Sequence, residues 1–231
     1  MKYKALIMLA FLNPSFVYAA RPFVTDDARL TTAGSCQLES WARLYPDSQE
    51  LWALPACNPT GNLEFTFGGG RTRSDDMDAT SDYVFQTKTL FREMQTNGWG
   101  FGLAVGTVKH PEDDPGPNAL GNTYAYIPFS VSLNDDNIVL HANLGRLKDK
   151  ASKLVSTSWG VGGEFKLQSK VLGIAETYGD NRGMSYGQIG VRYSVIPDLF
   201  QIDTTLGKQL SGNGDSRWIS FGIRYTPERL F

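Results

Sequence analysis

Few residues in this sequence can do chemistry, and most of them stand in segments that alternate like β-strands. The chain has two histidines, His110 and His141, and two cysteines, Cys36 and Cys57. Nucleophilic catalysis needs a serine or cysteine held beside a base. The residue two positions after His141 is Asn143 rather than a serine. The pattern therefore favours a polar, non-catalytic role for His141.

Charged residues alternate with large apolar ones in several segments. Near the C-terminus, Arg224 falls in one series with Ser220 and Gly222, and the other series is Ile219, Phe221, Ile223 and Tyr225. Alternate residues of a strand face opposite sides. An arginine facing lipid costs about 2–4 kcal/mol near the bilayer midplane. The pattern predicts a membrane barrel in which Arg224 faces the lumen and the aromatic series faces lipid.

Similar segments recur from Cys36 to the C-terminus, including weaker ones at 36–45, 50–57 and 171–178. Short connections alternate with longer polar ones such as 74–82 and 109–122. Both features are typical of outer-membrane barrels, whose short turns are periplasmic. We predict an all-β fold over residues 36–231: an antiparallel transmembrane β-barrel of about twelve strands with short periplasmic turns and longer external loops. The alternative is a soluble periplasmic β-sandwich, because half-buried sheets alternate too.

The N-terminus reads as an export signal. A basic start, the apolar run 5–12, Pro14 and small residues before Ala20 predict a secretory signal peptide over residues 1–19. Its apolar run is shorter than the ~20 residues of a spanning helix. Residues 20–35 are charged and lack strand periodicity. We interpret them as a flexible periplasmic N-terminal arm, because termini are usually mobile; the alternative is a partial plug inside the lumen.

The two cysteines predict a disulfide, since an exported chain enters an oxidising compartment. Cys36 opens the first predicted strand and Cys57 closes the second, which places them opposite each other at the periplasmic end. Two thiols without a nearby histidine make a poor zinc site. No metal site and no cofactor are therefore predicted.

Turn positions allow inward charges to be paired. Arg192, Asp203 and Arg224 are expected side by side on three neighbouring strands, and Glu64 is expected opposite Lys88. The predicted lumen-lining and solute-contacting residues are Glu64, Lys88, His141, Asn143, Arg192, Asp203 and Arg224. Two interpretations stay open: a polar constriction that selects solutes, or a salt-bridged core that fills the barrel.

The charge balance, 22 basic against 24 acidic residues, gives no electrostatic argument for nucleic-acid binding. The expected partners are outer-membrane lipid and lipopolysaccharide, the barrel-assembly machinery and a small-molecule solute. The acidic stretch Glu112–Asp114 could bind divalent cations, but we interpret it as solvated loop surface.

Several runs carry a resemblance. Arg-Pro-Phe-Val-Thr-Asp-Asp-Ala at 21–28, with Gly34 and the strand 37–40 after it, resembles the meta-pathway phenol-degradation family. The runs 141–145, 188–193 and 203–207 are similar to that family too. The resemblance implies an exported outer-membrane barrel that helps small, often aromatic or hydrophobic, compounds to cross. It brings no catalytic residues.

We therefore predict a channel or transporter in the outer membrane of a Gram-negative bacterium, and not an enzyme. The alternatives are a non-conducting structural, adhesion or lipid-interface barrel and, less favoured, a lipid-modifying barrel enzyme. Barrel phospholipases place a serine and a histidine two residues apart on the lipid-facing surface, whereas His141 belongs to an inward series.

Overall fold

The computed structural model describes residues 22–75, 77–112, 120–212, 214 and 216–231. The predicted signal peptide, residues 1–19, lies outside them, as do Asp113 and Asp114 of the acidic stretch. Twelve strands follow in chain order: β1 (Ser35–Leu44), β2 (Ser48–Asn58), β3 (Glu64–Ser74), β4 (Met77–Arg92), β5 (Trp99–Lys109), β6 (Asn122–Leu133), β7 (Ile138–Lys148), β8 (Val155–Gln168), β9 (Val171–Asp180), β10 (Ser185–Ile196), β11 (Phe200–Ser211) and β12 (Arg217–Tyr225). No described helix is long and apolar enough to span a bilayer.

The strands form one closed antiparallel barrel. Each strand pairs with its neighbours in sequence, and β1 closes the sheet by pairing with β12. A single closed sheet confirms the twelve-strand barrel and excludes the β-sandwich. We call the end at which β1 begins the short-turn end, which is periplasmic in outer-membrane barrels, and the opposite end the long-loop end.

One predicted long loop is wrong. Residues 74–82 continue the β3–β4 hairpin, which extends to Ser74 and resumes at Met77. The polar residues there belong to the end of a hairpin that projects beyond the rest of the wall. Because both faces of such a hairpin are in water, its residues need not alternate between apolar and polar.

The two faces of the barrel are distributed as predicted. Phe221 and Tyr225 are 50% and 45% exposed on the outer surface, whereas Ser220 is buried. Arg224 points inward, where its Nη2 donates to Gln37 Oε1 over 2.8 Å. The arginine is thus kept from lipid, and the aromatic series forms part of an apolar outer belt.

The predicted disulfide is confirmed. Cys36 and Cys57 are direct partners in the β1–β2 register and are bonded through their sulfur atoms. They belong to the outward series of their strands, at the short-turn end. The bridge therefore ties the wall together from outside and leaves the lumen free for other groups.

Candidate functional site

The N-terminal arm, residues 22–33, lies inside the barrel. Thr25, Asp26 and Ala28 are each no more than 2% exposed. The favoured interpretation of a flexible periplasmic arm is therefore wrong, and the segment is a plug, as in the alternative. Its charged and polar residues suit a polar lumen, and the wall binds it along its length.

The arm enters at the short-turn end. Gly34 turns the chain from the arm into β1 with a φ of +73°, and a Cβ there would lie 2.9 Å from the Phe231 carbonyl oxygen. The N–H groups of Leu230 and Phe231 both donate to the Gly34 carbonyl. From this turn the arm rises to Pro22, whose carbonyl accepts from Gln188, the fourth residue of β10 from the long-loop end.

Wall side chains bind the arm mainly through its backbone. The Glu176 carboxylate accepts the N–H of Val24 (2.8 Å) and of Thr25 (2.9 Å). Glu64 accepts the N–H of Thr31 at 2.6 Å. Further backbone contacts are Ala28 N–H to Ser130 Oγ, Gln188 Nε2 to the Pro22 carbonyl, and Asn58 Nδ2 to the Thr31 carbonyl.

Asn143 also hydrogen-bonds to the arm backbone. With its amide nitrogen facing the Asp26 carbonyl (2.9 Å) and its amide oxygen facing the Asp26 N–H (2.6 Å), both groups are satisfied. This paired contact resembles one rung of a β-ladder supplied by a side chain. Asn143 thus contacts the plug.

The Asp26 side chain is held by two wall residues. Lys88 Nζ lies 2.9 Å from Asp26 Oδ1 and 3.1 Å from Oδ2. The Tyr126 hydroxyl donates to Asp26 Oδ2 over 2.6 Å. Glu64, the predicted partner of Lys88, is opposite it in the β3–β4 register but 4.0 Å from Nζ. With Asp27 Oδ1 at 3.9 Å, Lys88 thus joins three carboxylates, of which the two nearer belong to the arm.

A second ionic group holds the arm at Arg29, three positions after Asp26. Arg29 Nη1 lies 3.3 Å from Glu164 Oε2, and Arg192 Nη1 lies 2.8 Å from Glu164 Oε1. Glu164 therefore bridges one arm cation and one wall cation. Glu164 was not predicted as a site residue, because its partners are far away in the chain.

His141 contacts the arm through its ring. The Phe23 ring meets it edge-on, with centroids 5.4 Å apart. His141 Nδ1 lies 2.8 Å from Ser130 Oγ, the atom that accepts the Ala28 N–H. The two residues lie on neighbouring strands, 11 positions apart, so no local motif reveals them. Both face the plug, which covers them.

Two inward glycines of β8 make room for the arm. A Cβ at Gly160 would lie 2.4 Å from Thr25 Oγ1, and one at Gly162 would lie 3.0 Å from the Phe23 ring. Their lack of side chains is thus explained by close approach of a second backbone.

The remaining predicted charges pair only in part as expected. Arg192 and Asp203 are direct partners in the β10–β11 register. Arg224 is opposite Gln201 rather than Asp203, so that part of the predicted trio is wrong. The β11–β12 turn includes Gly212 with a φ of +110°, and Gln209 still pairs with Ser216. The hairpin therefore turns one residue earlier than assumed, which shifts the register by two.

Aromatic side chains fill the lumen toward the long-loop end, and this was missed. One cluster includes Trp41, Trp52, Tyr124 and Tyr126. Another includes Tyr178, Tyr186 and Trp218, with Val24 of the arm packed on it. The alternation of residues along β12 could have predicted this, since Trp218 belongs to the same inward series as Ser220, Gly222 and Arg224.

Inward glycines lie beneath several of these rings. A Cβ at Gly207 would lie 2.2 Å from the Trp218 ring, and one at Gly70 would lie 2.3 Å from the Trp52 ring. The rings therefore lie close against the wall, above a polar middle and a charged short-turn end.

The described residues contain no group of three or more His, Cys, Asp or Glu side chains able to hold a metal ion.

Comparison with known sequences gives a family. Residues 7–226 match the family model described as "Uncharacterised conserved protein UCP029691". The chain belongs to this family. The UCP029691 match does not confirm the phenol-degradation family. No curated protein matches the chain.

Solved structures similar to this UCP029691 chain are outer-membrane barrels. The KdgM porin in complex with disordered oligogalacturonate has a TM-score of 0.62 at 6% identity, over 83% of this chain and 99% of that one. The NanC porin has a TM-score of 0.60 at 8% identity, over 83% of this chain and 100% of that one. The COG4313 outer membrane channel from Pseudomonas putida F1 has a TM-score of 0.58 at 11% identity, over 86% of this chain and 97% of that one. At these identities the likeness shows the fold.

Proposed function

We propose that this protein is an outer-membrane channel for small solutes whose lumen is closed by its N-terminal arm. The signal peptide over residues 1–19 would direct export, and the barrel-assembly machinery would insert the barrel. Lipid and lipopolysaccharide would then cover the apolar outer belt. The apolar outside, the polar inside and the fold shared with porins support this function.

One observation carries the proposal: the segment that fills the lumen is separate from the wall. Among the described residues, the arm continues into the barrel wall at Gly34 and is otherwise held by side-chain contacts such as Lys88 with Asp26. Eight-stranded barrels are filled by wall side chains alone, and barrels of roughly sixteen strands hold an open channel. Twelve strands leave a space that a single irregular segment occupies.

The proposed solutes are small, with aromatic or hydrophobic compounds among them. The resemblance to the phenol-degradation family suggests this class, and the aromatic clusters around Trp52 and Trp218 offer ring surfaces at the long-loop end. Passing solutes would meet the charged and polar set Glu64, Lys88, His141, Asn143, Arg192, Asp203 and Arg224.

Planar-bilayer recording tests the channel. We expect the full chain to be mostly closed, and a variant with residues 22–31 replaced by Gly and Ser at equal length to conduct steadily. Replacement of the loop residues 149–154 is the matched control, since it leaves the lumen intact. Absence of both ion current and liposome swelling with the arm replaced would contradict the proposal.

A second candidate, a non-conducting structural or lipid-interface barrel, is favoured by how completely the lumen is filled. Lys88, His141 and Arg192 are between 2% and 5% exposed. In that case the arm is a permanent part of the core, and its replacement would unfold the barrel rather than open it. Heat-modifiable migration of the folded variant in gels separates the two outcomes.

A further inference from the structure

We propose that the lumen is a binding site for short peptides and that the arm is its built-in occupant. The inference rests on the proposed function, because a peptide reaches this site only if the arm can leave the lumen. It assigns a ligand class to residues that otherwise only hold a plug.

The first argument is that the wall recognises peptide backbone. Glu176, Ser130 and Glu64 accept backbone N–H groups at three successive levels of the arm. Gln188 and Asn58 donate to backbone carbonyls near its two ends. The acceptors and donors are buried side chains from five different strands. Every peptide carries the backbone groups that they bind, whereas a hydrocarbon or a simple phenol does not.

The second argument is that three subsites read side chains at regular spacing. The His141 ring receives the aromatic residue Phe23, Lys88 with Tyr126 receives the carboxylate of Asp26, and Glu164 receives the guanidinium of Arg29. The three arm residues are three positions apart. The structure thus specifies a peptide with an aromatic, an acidic and a basic residue at positions 1, 4 and 7.

The third argument concerns the vacated lumen. Without the arm, Glu176 would lose two N–H donors and Lys88 would lose its nearest carboxylate. Water entering the open lumen would solvate these groups, but it brings no carboxylate to Lys88. A ligand that restores both kinds of contact is therefore favoured over one that only fills space.

Calorimetric titration in detergent tests the inference. The probe is a capped peptide with the sequence of residues 22–31, and the comparison is a scrambled peptide of the same composition. In the variant with residues 22–31 replaced by Gly and Ser, we expect the matched peptide to bind at least ten-fold more tightly than the scrambled one. In the full chain the matched peptide should bind at least ten-fold more weakly, because the tethered arm competes at high effective concentration.

Wall variants provide matched controls in the arm-replaced chain. Gly160→Val fills the space of Thr25 and should abolish peptide binding. Gly163→Val lies in the outward series of the same strand and should leave binding unchanged. If the arm-replaced chain does not fold, the full chain with Asp26→Asn and Arg29→Gln weakens the occupant, and the matched peptide should bind it more tightly than the unaltered chain.

Equal binding of the matched and scrambled peptides, or no binding, by a folded variant overturns the inference. Bilayer recording keeps the two proposals apart. A variant that conducts without binding peptide overturns the binding site and leaves the channel. A variant that binds peptide without conducting overturns the channel and leaves the site.

Discussion

Lys88 and Asp26 form a buried ion pair between wall and arm, with side chains 5% and 1% exposed. Breaking a buried pair from one side costs about 3–5 kcal/mol, because the other charge is left uncompensated. We expect Lys88→Met to lower the free energy of unfolding by that order and to raise the open probability in bilayers. Adding Asp26→Asn should recover part of the stability, which a double-mutant cycle in urea measures.

Lys148→Met is the control, since Lys148 is exposed at the end of β7. It should change neither the unfolding midpoint nor the current. A cycle in which the two effects simply add would show that Lys88 and Asp26 do not interact.

Whether a contact of the site could be predicted from the sequence depends on how far apart its two residues are in the chain. Arg192 with Asp203 could be predicted because one tight turn fixes the register between them. Side-chain contacts of the arm with the wall join residues from 27 to 166 positions apart, as in Thr31 with Asn58 and Pro22 with Gln188. No periodicity in the arm specifies which wall residue it meets, so the plug was visible only as an alternative.

Among the elements, the β1–β2 hairpin is closed twice, by its hydrogen bonds and by the disulfide. Cys36 and Cys57 are 21 positions apart, a loop whose closure stabilises a fold by about 3 kcal/mol in the chain-entropy model. We expect the double variant Cys36→Ser, Cys57→Ser to lose about that much in unfolding free energy. Its bilayer current should match the parent, since the bridge faces away from the lumen; a change in current would show coupling to the arm.

The outer face of the strands gives a depth-dependent prediction. Phe221 lies midway along β12 and Leu210 near the long-loop end of β11, and both are exposed outward. An arginine costs about 2–4 kcal/mol at the bilayer midplane and about 0–1 near the interfaces. Phe221→Arg should therefore destabilise the barrel in lipid by more than Leu210→Arg does, measured by unfolding from vesicles. Equal costs would place the membrane elsewhere on the barrel.

Strand periodicity identified the elements, but the meaning of each face changes along the barrel. Near the short-turn end the inward residues are charged, and the large apolar side chains face lipid. Near the long-loop end the large side chains of Trp218 and Tyr186 face inward too, so side-chain size no longer distinguishes the two faces. The series to which a residue belongs is the more reliable guide, because pleating fixes it for the whole strand.

Across the whole molecule, the buried charged side chains of the described wall are more often acidic than basic: Glu39, Glu64, Glu164, Glu176 and Asp203 stand against Arg43, Lys88 and Arg192, with the half-buried Arg224 as a fourth base. The arm carries Asp26 and Asp27 beside Arg29, and it meets the wall carboxylates with Arg29 and with backbone N–H groups. Rings of carboxylates make pores cation-selective. The arm-replaced channel should therefore favour K⁺ over Cl⁻, as the reversal potential in a tenfold KCl gradient will show. Glu64→Gln with Glu176→Gln should move that potential toward zero, and a chloride-selective potential would mean that ions take a path away from these residues.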